Sequence, residues 1–283
     1  MVNTDVDLIH FIYQKCEKKF LIGNKLTMEK LLEKIVANTN PKESFYILLS
    51  DKTTHIKTKF NPNINLNNNK MYEMALVSLE TYYSFPNIDT LNNNFRYSPD
   101  NGMTWWNINF PEGCYEVKDI NDYIQRVMKE NKHYDTANDR YSLKIEPNNN
   151  TLKCMLKIYE NYRVDFATTN SIRTVLGFNK KVYTAGYHES ENIVNIITVN
   201  SLRVTSDIIG SSYSNGAQQN IIYSFFPDVG PGYKIIEVPI NLVYLPVILN
   251  TISQMEVKLV DQDGRLLNLR GEELSIRFHI REM

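Results

Sequence analysis

Two kinds of hydrophobic spacing divide this chain. Over residues 1–40 the apolar positions recur at helical intervals. Leu8, Ile9, Phe11, Ile12 and Phe20 suggest a stripe on a first helix. Thr27 is placed to cap a second, and Met28, Leu31, Leu32, Ile35 and Val36 fall on one of its faces before Asn38 to Pro41 ends it. The expected unit is an N-terminal helical arm, residues 1–44, whose apolar face docks either on the main domain or on another subunit.

From Ser44 onward the spacing is that of strands. Phe45 to Leu49 is a short apolar run, and His55 to Phe60 alternates. Tyr72 to Phe85 is apolar on both alternations, as in a strand buried on both faces or kinked midway. Thr104 to Phe110 follows the turn at Ser98-Pro99-Asp100-Asn101-Gly102. Tyr141 to Glu146 and Leu152 to Tyr159 flank Pro147 to Asn150 in a hairpin pattern. Two helices interrupt. One is capped by Asp119, with Ile120, Tyr123, Ile124, Val127 and Met128 as its stripe. The other, Ser171 to Leu176, is stopped by Gly177. The last hundred residues alternate strand and turn: 193–199, 202–208, 220–226, 233–238, 242–247, 254–260 and 274–280. Asp263-Gly264 makes a tight-turn pair. So many strands with so few helices require antiparallel pairing. The expected fold is mainly β, a single jelly-roll sandwich over residues 45–283, with the Asp119–Met128 helix outside it or capping one end.

Composition sharpens this in three places. The 18 tyrosines and 12 phenylalanines favour pleated surfaces. Asparagine triplets at 67–69, 92–94 and 148–150 read as loop tips, because asparagine tolerates turn and left-handed conformations. The formal net charge of −1 supplies no basic field for direct nucleic-acid binding. Lys15, Lys18, Lys19 and Lys25 cluster, with Glu17 among them, as a solvated helix face or a contact for an acidic partner. Cys16, Cys114 and Cys154 have no metal or redox spacing, which suggests maturation in a reducing compartment inside a cell. The acidic start, Met1 to Asp5, is not that of a secretory leader, and no apolar run approaches the ~20 residues of a membrane span.

Candidate chemistry is sparse. No phosphate loop, nucleophile elbow or zinc-protease pair is present. Of His10, His55, His133, His188 and His279, only His188 has carboxylates beside it, in His188-Glu189-Ser190-Glu191. Such a set could hold a metal in a cupin-type enzyme, although it sits in a polar loop after Gly186. Asp261-Gln262-Asp263-Gly264 opens like a calcium loop, but Leu266, Leu267 and Leu269 stand where further oxygen ligands are needed, so a hairpin turn is the better account. Trp105-Trp106 could form a carbohydrate platform, though one of the two is expected in the core. The residues alone therefore name no catalytic, cofactor-binding or metal-binding residue.

From about Asn192 onward, an ordered string resembles a known family. It runs through residues 195–210, 220–227 and 231–239, then Tyr244-Leu245-Pro246 and 259–272, and includes Asp261-Gln262-Asp263-Gly264 and Arg270-Gly271-Glu272. Pro111-Glu112-Gly113 before a helix and the Val175–Phe178 turn also fit. This resembles the penton, or minor capsid, proteins of Polinton/Maverick elements and adintoviruses, over roughly residues 70–283. The resemblance implies a single jelly-roll structural protein of the virion, a homopentamer at the fivefold vertices of an icosahedral capsid. It would abut a double jelly-roll major capsid protein and need no cofactor and no catalysis. The alternatives are a jelly-roll lectin using Trp105 or Trp106, and the His188 metalloenzyme.

Overall fold

The computed structural model describes residues 42–134, 140–210, 212–214 and 216–283. The expected helical arm, its lysine cluster, Cys16 and His10 lie outside the described residues. The chain divides between Glu43 and Ser44, and all the described strands and helices belong to the second unit.

Three strands come first: β1 (Ser44–Asp51), β2 (His55–Asn65) and β3 (Tyr72–Tyr82). A long excursion comes next, with β4 (Asn94–Ser98), β5 (Trp106–Asn109), α1 (Val117–Glu130), β6 (Leu143–Asn148), β7 (Lys153–Ile158), β8 (Arg163–Asp165), α2 (Arg173–Leu176), β9 (Val182–Tyr183) and β10 (Gly186–Glu189). The chain then returns through β11 (Leu202–Ser206), the small β12 (Ser212–Ser214) and β13 (Ala217–Gln219), and β14 (Ile221–Phe225). It ends with β15 (Lys234–Glu237), β16 (Leu245–Pro246), β17 (Thr251–Val260) and β18 (Leu274–Glu282).

One sheet has the order β1-β18-β3-β15, with β16 also on β3; the other has the order β14-β11-β17-β2. All these pairs are antiparallel. Counting only these eight principal strands in chain order, the sheets read first-eighth-third-sixth and fifth-fourth-seventh-second. That is the connectivity of a jelly-roll, in which each half of the chain winds back beside the other. Inward residues of both sheets meet in one apolar cluster, with Met74, Leu79, Leu202, Val204, Leu259, Ile276 and Phe278 at its centre.

Strand β3 shows how sequence and sheet fit. Met74 and Leu76 share one alternation, yet Leu79 is on the other, and all three are buried. The register with β18 shifts between Arg277 and Phe278, so that Arg277 faces Ser78 while Phe278 faces Leu76. Val77 is the extra residue of a bulge, and a bulge reverses the side-chain parity beyond it. The mixed pattern of residues 72–85 therefore records a kinked central strand.

The excursion between β3 and β11 builds its own core. Phe95, Phe110, Phe166, Phe178, Leu156 and Ile120 belong to a second apolar cluster. Two small sheets, β5-β4-β8-β9 and β10-β7-β6, supply its walls. Phe166 stacks on Phe178 with centroids 5.0 Å apart and meets Phe95 edge-on at 6.0 Å. Helix α1 buries Val117, Ile120, Ile124 and Met128 in this cluster, while Tyr123 and Val127 are only partly buried. The helix thus covers an inserted subdomain rather than capping the sandwich. Its first turn is also set differently from the expected cap. Glu116 is the N-cap, and Asp119 accepts a hydrogen bond from the Glu116 N–H at 3.0 Å. Buried Asn121 fastens the helix to β6 by accepting from the Ile145 N–H at 2.9 Å.

One expected strand does not form, and another forms only in part. Residues 193–199 form no strand: Val194 donates to the Leu152 carbonyl and Asn195 to the Val175 carbonyl, neither in a strand. This segment crosses from one core to the other, with Val194 and Ile196 packed on the second cluster and Val199 buried in the first. Of residues 242–247, Leu245–Pro246 pairs with β3 and Val247 makes a single antiparallel bridge to Ile209. Pro239 and Pro246 have no N–H to give a ladder, and residues 238–244 form no strand before β16 begins.

Candidate functional site: the outer face of the β1-β18-β3-β15 sheet

The residues singled out for chemistry are separated and engaged. The His188 Nε2 lies 2.7 Å from the Thr184 carbonyl. Glu189 accepts from Asn148 at 3.0 Å and from Thr151 at 2.8 Å. Glu191 faces elsewhere and accepts from Lys181, Tyr183 and the Asn179 N–H at 2.8–2.9 Å. Burial pushes the Glu191 carboxyl up, but these three donors outweigh it and hold the pKa down at about 2. His188 and Glu189 lie in strand β10, paired with β7, rather than in the expected polar loop. Each group is engaged locally, and among the described residues no set of three or more His, Cys, Asp or Glu side chains gathers.

Asp261 turns inward. Its Oδ1 accepts from the N–H groups of Asp263 and Arg265 at 2.9 Å, and its Oδ2 from Arg265 Nε at 2.8 Å. With Val260 bridging antiparallel to Leu266, this is a turn whose acid is consumed by its own backbone. Neither tryptophan is in the core, contrary to expectation. Trp106 shares the parity of buried Ile108 but sits at the strand end, where its ring meets that of His133 edge-on at 4.8 Å. Trp105 carries the Arg96 guanidinium over its ring at 4.9 Å. Cys114 and Cys154 are both free, and burial pushes the Cys154 thiol up to about 12, which leaves it a protonated core residue.

The arrangement with most structure behind it lies on the outer face of the sheet that begins with β1. His279 of β18 is in register with Tyr46 of β1 on one side and Ala75 of β3 on the other. The Tyr244 hydroxyl reaches His279 Nδ1 at 2.8 Å. Tyr244 enters from the far edge of β3, so its ring crosses β3 above Ala75, which is fully buried although it points outward. The Arg281 guanidinium covers the Tyr244 ring at 3.6 Å, and Tyr46 packs on His279 at 4.8 Å. Charges on this face are paired across strands: Arg281 with Glu73 at 2.7 Å, and Lys234 with Glu80 at 2.6 Å.

Two apolar margins flank that centre. On edge strand β1, Tyr46 and Leu48 are 65% and 60% exposed. Along the opposite edge, Ile236, Val238, Ile240, Leu242, Val243, Ile248 and Leu249 are all exposed, Ile240 to 98%. The sole ionisable carboxylate of residues 236–249, Glu237, accepts from the Tyr223 hydroxyl at 2.8 Å. Large contiguous apolar exposure marks interaction surfaces. The expectations named none of these residues as a site. The only signal in the sequence was a run of aliphatic residues around two prolines, which reads equally well as a buried strand.

The fold defines the class: a single jelly-roll carrying a large insertion between its third and fourth principal strands. No family model and no curated protein matches the chain. Among solved structures it is similar to the crystal structure of the SeMet-labeled mavirus penton protein. That match has 10% identity and a TM-score of 0.46, and covers 86% of this chain and 100% of the other.

Proposed function

We propose that this protein is a virion structural component: a penton, or vertex, minor capsid protein acting without catalysis. It assembles as a homopentamer and abuts a double jelly-roll major capsid protein in an icosahedral shell. One observation carries the reading. The ordered string that resembles Polinton/Maverick penton proteins coincides with jelly-roll strands β11, β14 and β15, the end of β17 and the Asp261 turn. The resemblance and the observed connectivity thus fall on the same residues. A fold alone does not define a function, but a shell subunit needs surfaces for its neighbours, and the outer sheet face offers apolar margins on both edges.

The N-terminal segment, residues 1–44, serves in this reading as an arm separable from the jelly-roll domain. The test is particle mass and negative-stain imaging of the full chain at high concentration, alone and with its major capsid protein. Rings of five support the assignment. Monomers only, or rings of another number, refute it.

A further inference from the structure

We propose that the apolar stretch 236–249 docks on edge strand β1 of a second copy of this chain, with Ile240 and Val243 meeting Tyr46 and Leu48. This deepens the ring reading above and rests on it.

Four observations carry the contact. The stretch is exposed through most of its aliphatic residues, and Ile240 is 98% exposed. A side chain that gains nothing from the monomer gains from burial elsewhere. The stretch also contains no lysine or arginine, and Glu237 is tied to Tyr223. Its partner must therefore be apolar; a lipid surface would call for flanking cations and interfacial tryptophan. The same chain carries the matching surface. Tyr46 and Leu48 point outward from β1, an edge strand whose outer side has no sheet neighbour among the described residues. Exposed edges of this kind are ordinarily covered. Finally, the two patches lie on opposite edges of one sheet, with β18 and β3 between them. Unlike patches on opposite sides of a subunit produce a head-to-tail contact, the kind that closes rings.

The test uses the full chain with paired cysteines, Leu48→Cys and Ile240→Cys, and a short bismaleimide. The double variant should give a ladder of covalent multimers above the wild-type background. Each single variant alone should give none, and an equal mixture of the two singles should give dimers and nothing larger. Self-linking by Ile240→Cys alone would mean a twofold contact and would overturn the proposal, as would a double variant with no ladder. Independently, Ile240→Asp should weaken self-association by roughly tenfold or more while leaving the melting temperature unchanged, since the side chain touches nothing in the monomer. Unchanged assembly of Ile240→Asp into rings of five would overturn this contact and leave the vertex reading standing. A ladder ending at another number would keep the contact and sink the vertex reading. Binding to mixed neutral and anionic vesicles that is lost in Ile240→Asp would assign the stretch to lipid and overturn the proposal.

Discussion

The hydroxyl of Tyr244 lies 2.8 Å from Nδ1 of His279, joining a loop at one edge of the sheet to the strand two places in. Burial and the nearby Arg281 push the His279 pKa below its ordinary 6.5, and burial does the same for His133, whose Nδ1 meets the Tyr97 hydroxyl. A histidine with a depressed folded pKa binds its proton more readily unfolded. The stability it contributes is complete above about pH 6.5 and is lost as pH falls below that. Melting temperature should therefore drop between pH 7 and 5, and drop less in His279→Leu. An equal loss in that variant would show that His279 does not titrate against the fold.

Ala75 is small because Tyr244 passes over it. Ala75→Leu fills that space and should displace the phenol, costing about 1–3 kcal/mol by overpacking. Urea denaturation measures the cost. Tyr244→Ala in the same background should recover part of it; no recovery would separate the two residues.

Gly177 ends α2 at φ +82°, and a Cβ there would stand 2.3 Å from the Asn192 carbonyl oxygen. Both the conformation and the space exclude a side chain. Gly177→Ala should destabilise by about 1–3 kcal/mol or more. A loss under 0.5 kcal/mol in the same denaturation assay would show that the turn can shift at little cost.

Asn121→Leu removes the acceptor of the buried Ile145 N–H and should cost about 1–3 kcal/mol, whereas Asn121→Asp retains a carboxylate oxygen and should cost less. Hydrogen exchange at Ile145 is the direct readout. Faster exchange is expected in the leucine variant and near-native exchange in the aspartate variant.

Chain removal tests the proposed boundary. Residues 44–283 should express as a folded β protein when 1–43 is deleted, given the division between Glu43 and Ser44. Loss of the β signal in circular dichroism on that deletion would place the N-terminal segment in the fold.

Much of the architecture was legible because strand periodicity, turn residues and caps are local properties. The strands β1, β2, β17 and β18, the Asp263-Gly264 turn, the hairpin of β6 and β7 and the stop at Gly177 follow from side chains within a few residues of one another. Those signals also gave the mainly β class and the antiparallel pairing, because parallel strands would need crossover helices that the pattern lacks.

The tertiary structure decided what depends on distant partners. Whether Ile193 to Val199 pairs as a strand, whether Phe166 belongs to the sandwich or to an inserted core, and whether Ile240 is buried cannot be read from spacing, because an aliphatic residue has the same local pattern against any apolar neighbour. Burial is a relation between residues far apart in the chain. It brought β18 between β1 and β3, laid Tyr244 across Ala75, and left most aliphatic residues of 236–249 exposed.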